Sequence, residues 1–263
     1  MTLSDIISSY TETAEVLTYL SQWYKHCLED TPVVYEYALT ERQLSLATIE
    51  HFCLGHAPET SKTLDFLKTN SLDTAPLIST GNFHVTSGIT FDKFEGRLIF
   101  PIFDFLGNVI GFSGRTIPPE DETIRKYVNS PTSLVYKKSL SLYGLYQAYA
   151  KIQEYDFAVI VEGNIDVCMS HQEGVGNVIA PCGTALRQEH LLLLKHFTNN
   201  MVCIFDNDVA GKNAATKARQ LCKDADCNFY SIVLEGVKDP DEFLKKYGGR
   251  EFINVIDEAL KET

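Results

Sequence analysis

Phe157-Ala-Val-Ile-Val-Glu-Gly163 opens a stretch, running to Leu244, that repeats one local pattern three times. An apolar, β-rich run ends in acid. The second copy is Met201-Val-Cys-Ile-Phe-Asp-Asn-Asp208, and the third is Phe229-Tyr-Ser-Ile-Val-Leu234, leading through a glycine turn to Asp239-Pro-Asp241. Unbroken apolar runs of this length predict strands buried on both faces, as in a parallel sheet. Helices are expected between them over 164–172, 186–197 and 210–223. Strand and helix alternating at this spacing imply an α/β fold with a mostly parallel central sheet. Ligands of such sheets lie beyond the carboxyl ends of the strands, where all these acids fall.

Working outward, residues 1–60 read as helical, with Ala14, Leu17, Leu20 and Tyr24 on one stripe and a second stripe over 44–52. Trp23 is expected to pack within this part. A further helix is expected over 60–70. Arg97-Leu-Ile-Phe-Pro-Ile-Phe103 and Val109-Ile-Gly-Phe-Ser-Gly-Arg115 read as a hairpin, with Pro101 marking an edge or bulge. Residues 117–123 read as a polar loop. These readings give an N-terminal α+β part over 1–150, an α/β part over 151–250 and the start of a helical segment over 251–263, with a boundary between 148 and 155.

The chain has 263 residues and a net charge of −12. That sum conceals an uneven distribution. Residues 1–85 carry 4 basic and 11 acidic groups, residues 86–150 carry 7 and 6, and the remainder 12 and 18. The middle part, with Arg97, Arg115, Lys126 and Lys138, is the one suited to an anionic polymer. Seven single cysteines without a CxxC pair argue for reduced thiols in the cytoplasm, and no zinc is expected. No apolar window reaches the ~20 residues of a membrane span, so no membrane partner is expected.

The chemistry follows from the acids. Mg2+, with Mn2+ as a substitute, prefers oxygen ligands and is held by one or two carboxylates plus substrate phosphates. Asp206 with Asp208 and Asp239 with Asp241 offer two such pairs, and Glu162 is a further ligand or a general base. Helix capping is the competing explanation for Asp208 and for Asp239-Pro-Asp241.

Glu162-Gly-Asn-Ile-Asp166, Asp206-Asn-Asp208-Val-Ala-Gly211 and Asp239-Pro-Asp-Glu-Phe-Leu244 resemble the conserved segments of a TOPRIM domain. Upstream, 97–102, 107–115, Lys126-Tyr-Val-Asn-Ser-Pro131 and Tyr136-Lys-Lys138 resemble, in order and spacing, the RNA-polymerase core of DnaG-type primases. So do Ile49–Pro58 and Gly183–His190. The resemblance implies synthesis of RNA primers on a single-stranded DNA template from ribonucleoside triphosphates. It assigns Glu162, Asp206, Asp208, Asp239 and Asp241 to the metal site, with Glu162, Asp206 and Asp208 catalytic. Arg97, Arg115, Lys126, Asn129 and Lys138 fall on positions lining the template and nucleotide groove. A replicative helicase and a separate zinc-domain protein are the partners implied, acting in trans as in some bacteriophages unless the chain is a fragment of a longer primase. A TOPRIM nuclease and a noncatalytic single-strand-binding replication protein are the alternatives. Two departures stand out: Asn164 replaces the usual aromatic residue, and Asn207 the usual glycine between the aspartates.

Overall fold

The computed structural model describes residues 2–118 and 123–261 and divides into two compact units, Met1–Lys137 and Lys138–Thr263. Most of the polar loop expected over 117–123 lies outside the described residues.

The first unit begins with α1 (Leu3–Glu29), capped by Thr2, whose hydroxyl accepts the Asp5 N–H while the Asp5 carboxylate accepts the Thr2 N–H. This reciprocal cap extends the helix well ahead of the apolar stripe that starts at Ala14. Next come α2 (Pro32–Glu36), a π-helical turn over Tyr37–Glu41, α3 (Leu46–His51), β1 (Gly55–His56), α4 (Thr60–Thr69) and α5 (Ala75–Ser79). A separate hairpin follows, β2 (Phe83–Thr86) with β3 (Ile89–Asp92). The main sheet is antiparallel, in the order β1, β4 (Leu98–Phe103), β5 (Val109–Arg115), β6 (Tyr127–Asn129).

β1 pairs only with Leu98 and Ile99, so β4 is an edge from that point on, and Pro101 sits there, just before a register shift at Ile102/Phe103. A residue lacking an N–H donor belongs at such a place. α1 passes directly over β1: a Cβ on Gly55 would lie 2.6 Å from the Tyr24 backbone carbon. Leu17, Leu20, Tyr24, Phe52, Phe94, Phe100 and Phe112 form the core, with Tyr24 and Phe94 both edge-on to Phe112. Trp23 stacks on Phe66 with centroids 4.5 Å apart and donates to the Thr63 hydroxyl, so it is a packing residue that ties α1 to α4.

The second unit contains β7 (Leu142–Tyr143), α6 (Leu145–Tyr155), β8 (Ala158–Ile160), α7 (Asn164–Gln172), β9 (Val178–Pro181), α8 (Gln188–Leu194), β10 (Asn200–Ile204), α9 (Val209–Asp224), β11 (Asn228–Ile232) and α10 (Pro240–Lys261), the last kinked at Gly248. Its sheet runs β11, β10, β8, β9, β7, parallel except for β7. Because β7 pairs with β9, the unit starts at Lys138, ahead of the 148–155 stretch. Ala158, Ile160, Ile179, Met201 and Cys203 face a core shared with α6, α8 and α9; α7 and α10 pack together on the other helical layer. Among the described residues no helix is long and apolar enough to cross a membrane. All seven cysteines are free.

Candidate active site

From β8 the chain crosses through α7 to β9 on one side, whereas from β10 it leaves through α9 to β11 on the other. β8 and β10 are hydrogen-bonded neighbours, so the crevice at their carboxyl ends is the point where strand order reverses. Beyond the Ile160–Cys203 pair the chain reaches Glu162 two residues on from β8 and Asp206 two residues past the end of β10. There the Asp206 N–H donates to Glu162 Oε1 at 3.1 Å. Residues 44 positions apart in sequence thus meet at the switch point.

The third station joins them through the backbone. The Asn207 N–H donates to the Lys238 carbonyl at 2.7 Å, and the Asn207 side chain reaches the Leu234 carbonyl at 3.4 Å. A glycine at 207 could not make the second bond. Helix capping and site formation prove to be compatible here. Asp208 Oδ1 accepts the Gly211 N–H at the start of α9, and Asp239 Oδ1 accepts the Glu242 N–H at the start of α10. Each cap leaves a carboxylate oxygen over. Asp241 pairs with Lys245 at 2.8 Å through Oδ2, while its Oδ1 is buried without a hydrogen-bond partner.

Asp166 is the acid that sequence reasoning missed. It lies inside α7, 7% exposed, and its carboxylate accepts the Gly163 N–H at 3.0 Å and the Asp241 N–H at 3.2 Å. It therefore ties the Glu162 turn to the Asp239-Pro-Asp241 turn. Its spacing of three from Gly163, the capping-box spacing, was the available signal. Burial, and then the charges of Asp239, Asp206 and Asp241, push its pKa well above the usual carboxylate range. Burial, followed by Glu162 and Asp239, raises Asp206 to about 6. Lys245 on Asp241 at 2.8 Å and Lys238 beside Asp239 at 4.0 Å offset part of this crowding. Among the described residues, however, no three His, Cys, Asp or Glu side chains stand together as a metal-ligand cluster.

An acid whose folded-state pKa exceeds its unfolded value weakens the fold while it is ionised. For Asp206 that penalty is full above about 6 and vanishes below 3.8, the ordinary value for an aspartate. With chelator present, acidification from pH ~7 to ~5 should therefore raise the melting temperature relative to Asp206→Asn. Equal pH dependence in the two proteins would remove Asp206 as the source.

The cationic set divides sharply. Arg97 is 8% exposed, and its Nη1 donates to the carbonyls of Arg125 at 3.0 Å and of Gly114 and Lys126 at 3.4 Å. Arg115, 5% exposed, donates to the hydroxyls of Tyr37 and Tyr127, both at 2.7 Å, and lies over the Tyr127 ring. The π-helical turn carries Tyr37, which also accepts from Arg42 Nε at 2.8 Å. These two arginines, expected to line a groove, hold β5 to β6 and to the residues that lead into it, Arg125 and Lys126. Lys126 is exposed; Asn129 is half-buried, and its Oδ1 lacks a hydrogen-bond partner. Lys138 is half-buried in the second unit, where its carbonyl accepts from His190 Nε2 at 2.8 Å. Arg115→Ala should cost ~2–4 kcal/mol in chemical denaturation, because the buried Tyr37 hydroxyl and the half-buried Tyr127 hydroxyl each lose a charged donor. Lys126→Ala should stay within ~0.5 kcal/mol of the parent. Comparable losses in both would contradict this division.

Comparison with known proteins agrees with this geometry. Residues 23–149 match the family model for the N-terminal domain of the DNA primase catalytic core, and residues 159–244 match a Toprim-like model. The DNA primase of Aquifex aeolicus is 41% identical over 208 residues, covering 79% of this chain and 41% of that protein. The chain thus spans about two fifths of the length of that curated relative. A crystal structure of the Aquifex aeolicus primase zinc-binding and RNA polymerase domains superposes with a TM-score of 0.89 at 36% identity, over 94% of this chain and 61% of that one. A DnaG primase catalytic domain solved bound to single-stranded DNA superposes with a TM-score of 0.84 at 31% identity, over 96% of this chain and 83% of that one. On sequence and on fold together, the chain belongs to the DnaG-type primase catalytic-core family.

Proposed function

We propose that this protein synthesises short RNA primers on single-stranded DNA. The observation that carries the reading is the meeting of Glu162 and Asp206 at the switch point, backed by the Asp239-Pro-Asp241 turn. Glu162, Asp206, Asp208, Asp239 and Asp241 are the residues that would hold divalent cations. The fit is good on chemistry: the donors are all carboxylate oxygens, Asp241 Oδ1 is buried and unpartnered, and Asp206 is held above its ordinary pKa by burial and then by like charge. Mg2+, or Mn2+, bound there would neutralise the triphosphate and the charge that develops as it reacts.

The chain's own groups do the rest. Glu162 takes the proton of the attacking 3′-hydroxyl. A bond forms from that oxygen to the α-phosphorus of the next ribonucleotide, the α–β anhydride bond breaks, and pyrophosphate leaves. Asp166 acts by positioning, since its two backbone bonds fix the turns that carry Glu162 and Asp241. Lys126, Asn129 and Lys138 are assigned to phosphates of template and nucleotide, and Arg97 and Arg115 to holding the strands behind Lys126 and Asn129. A replicative helicase and a zinc-domain protein are the proposed partners.

The test is incubation with single-stranded DNA, labelled ribonucleotides and Mg2+ or Mn2+, with and without a candidate zinc-domain protein. Template-dependent di- and oligoribonucleotides are expected, and they should vanish with chelator. Template cleavage without ribonucleotide incorporation would replace the reading with a nuclease. Tight strand binding without any turnover would replace it with a noncatalytic binder.

A further inference from the structure

A cavity of 420 Å³ opens beside Glu162 and has no part in the reading so far. Its walls are the loop Gly183–Leu186, Phe205 just ahead of Asp206, and the face of α9 that carries Ala214 and Lys217. Most of that lining is apolar, with Glu162 and Lys217 as its charged groups. Leu186 and Phe205 pack on the core shared by α6, α8 and α9, which anchors two of the walls. Behind the loop, His190 is fully buried. Its Nδ1 accepts the Arg187 N–H at 3.2 Å, so Nε2 carries the proton and donates to the Lys138 carbonyl. The loop is therefore held in place by the fold. Ala214 and Ala218 lie one turn apart on α9, where larger side chains would fill the space.

Starting a chain from free nucleotides poses a demand that extending one does not. One nucleotide presents its α-phosphate to the acids. The other presents only a 3′-hydroxyl, and no duplex yet holds it. It needs a subsite next to the group that takes its proton, with an apolar surface for the sugar and a cation for its own 5′-phosphates. Its base must stay outside to pair with the template. The cavity meets these requirements: it adjoins Glu162, its walls are apolar, its volume exceeds that of a sugar, and Lys217 supplies the cation. We propose that the recess formed by Phe205, Leu186, Ala214 and Lys217 is the subsite for the initiating ribonucleotide, taking its ribose against the apolar walls and its 5′-triphosphate on Lys217.

This inference rests on the primer-synthesis reading, and one set of measurements separates the two. Lys217 is exposed, so Lys217→Glu leaves the fold intact; Ala214→Leu fills the recess with a good helix former, and its melting curve reports on folding. In dinucleotide synthesis with the second nucleotide saturating, both variants should raise KM for the initiating nucleotide about tenfold or more, with kcat within about threefold. Extension of a pre-annealed RNA primer by Lys217→Glu should change less than about twofold, because the duplex replaces the lysine as anchor. The parent should prefer a nucleoside triphosphate over the monophosphate as the initiating nucleotide, and Lys217→Glu should lose that preference. Equal effects on initiation and extension, or an unchanged KM, would overturn the subsite while leaving primer synthesis standing. A parent protein that makes no dinucleotide and extends no primer would remove both.

Discussion

Asp206→Ala is expected to reduce primer synthesis by about 10³-fold or more while leaving the chelator-treated protein at least as stable as its parent. The two effects point in opposite directions for one reason. Asp206 is partly buried and then crowded by Glu162 and Asp239, which raises it to about 6. Ionised at neutral pH, it costs the fold stability and supplies the site with charge. Removing it relieves the repulsion and empties the position on which the proposed chemistry depends. Mg2+ should raise the melting temperature of the parent by binding the folded state, and Asp206→Ala should largely abolish that rise. Turnover within tenfold of the parent, or an undiminished Mg2+ shift, would dismiss Asp206 from the site. A variant that simply unfolds would show it to be structural.

Gly211→Ala is the second large effect, and its cause is steric. A Cβ at 211 would stand 2.0 Å from the Asp206 carbonyl oxygen and 3.0 Å from the Asp206 nitrogen, so the chain must move. The backbone here has little freedom. The Gly211 N–H is bound to Asp208 Oδ1, and the Asp206 N–H to Glu162 Oε1. A loss of ~1–3 kcal/mol is expected in denaturant unfolding. Activity should fall further than stability accounts for, since the displaced group is Asp206 itself. An active Gly211→Ala protein with parental stability would show that the loop tolerates the shift and that the close approach is incidental. The glycine five residues after Asp206 thus has a definite reason: the first turn of α9 folds back over the aspartate that precedes it.

Much of the second unit was legible because its signals are local. Runs such as Ala158–Ile160 and Met201–Ile204 are apolar at every position, which only a strand buried on both faces tolerates. The predicted helix over 164–172 coincides with α7, and that over 210–223 falls one residue short of α9 at each end. α8 is shorter than predicted, running Gln188–Leu194 where 186–197 was expected. In the first unit Pro101 and Trp23 behaved as their chemistry demands.

What the sequence determined by itself was the three acid-bearing strands of the second unit, the helices that follow two of them, and the placing of an acid after each strand, since apolar periodicity and turn residues act over a few positions. Tertiary structure alone decided that β8 lies between β9 and β10, which brings Glu162 to Asp206 and creates the switch point. Strand order is a non-local pairing that no short window encodes. It also decided that Arg97 and Arg115 are buried among carbonyls and tyrosine hydroxyls, and that Asp166 sits beneath the acidic turns. A charged side chain reads alike in sequence whether it ends in solvent or in the core, because its role depends on what packs around it.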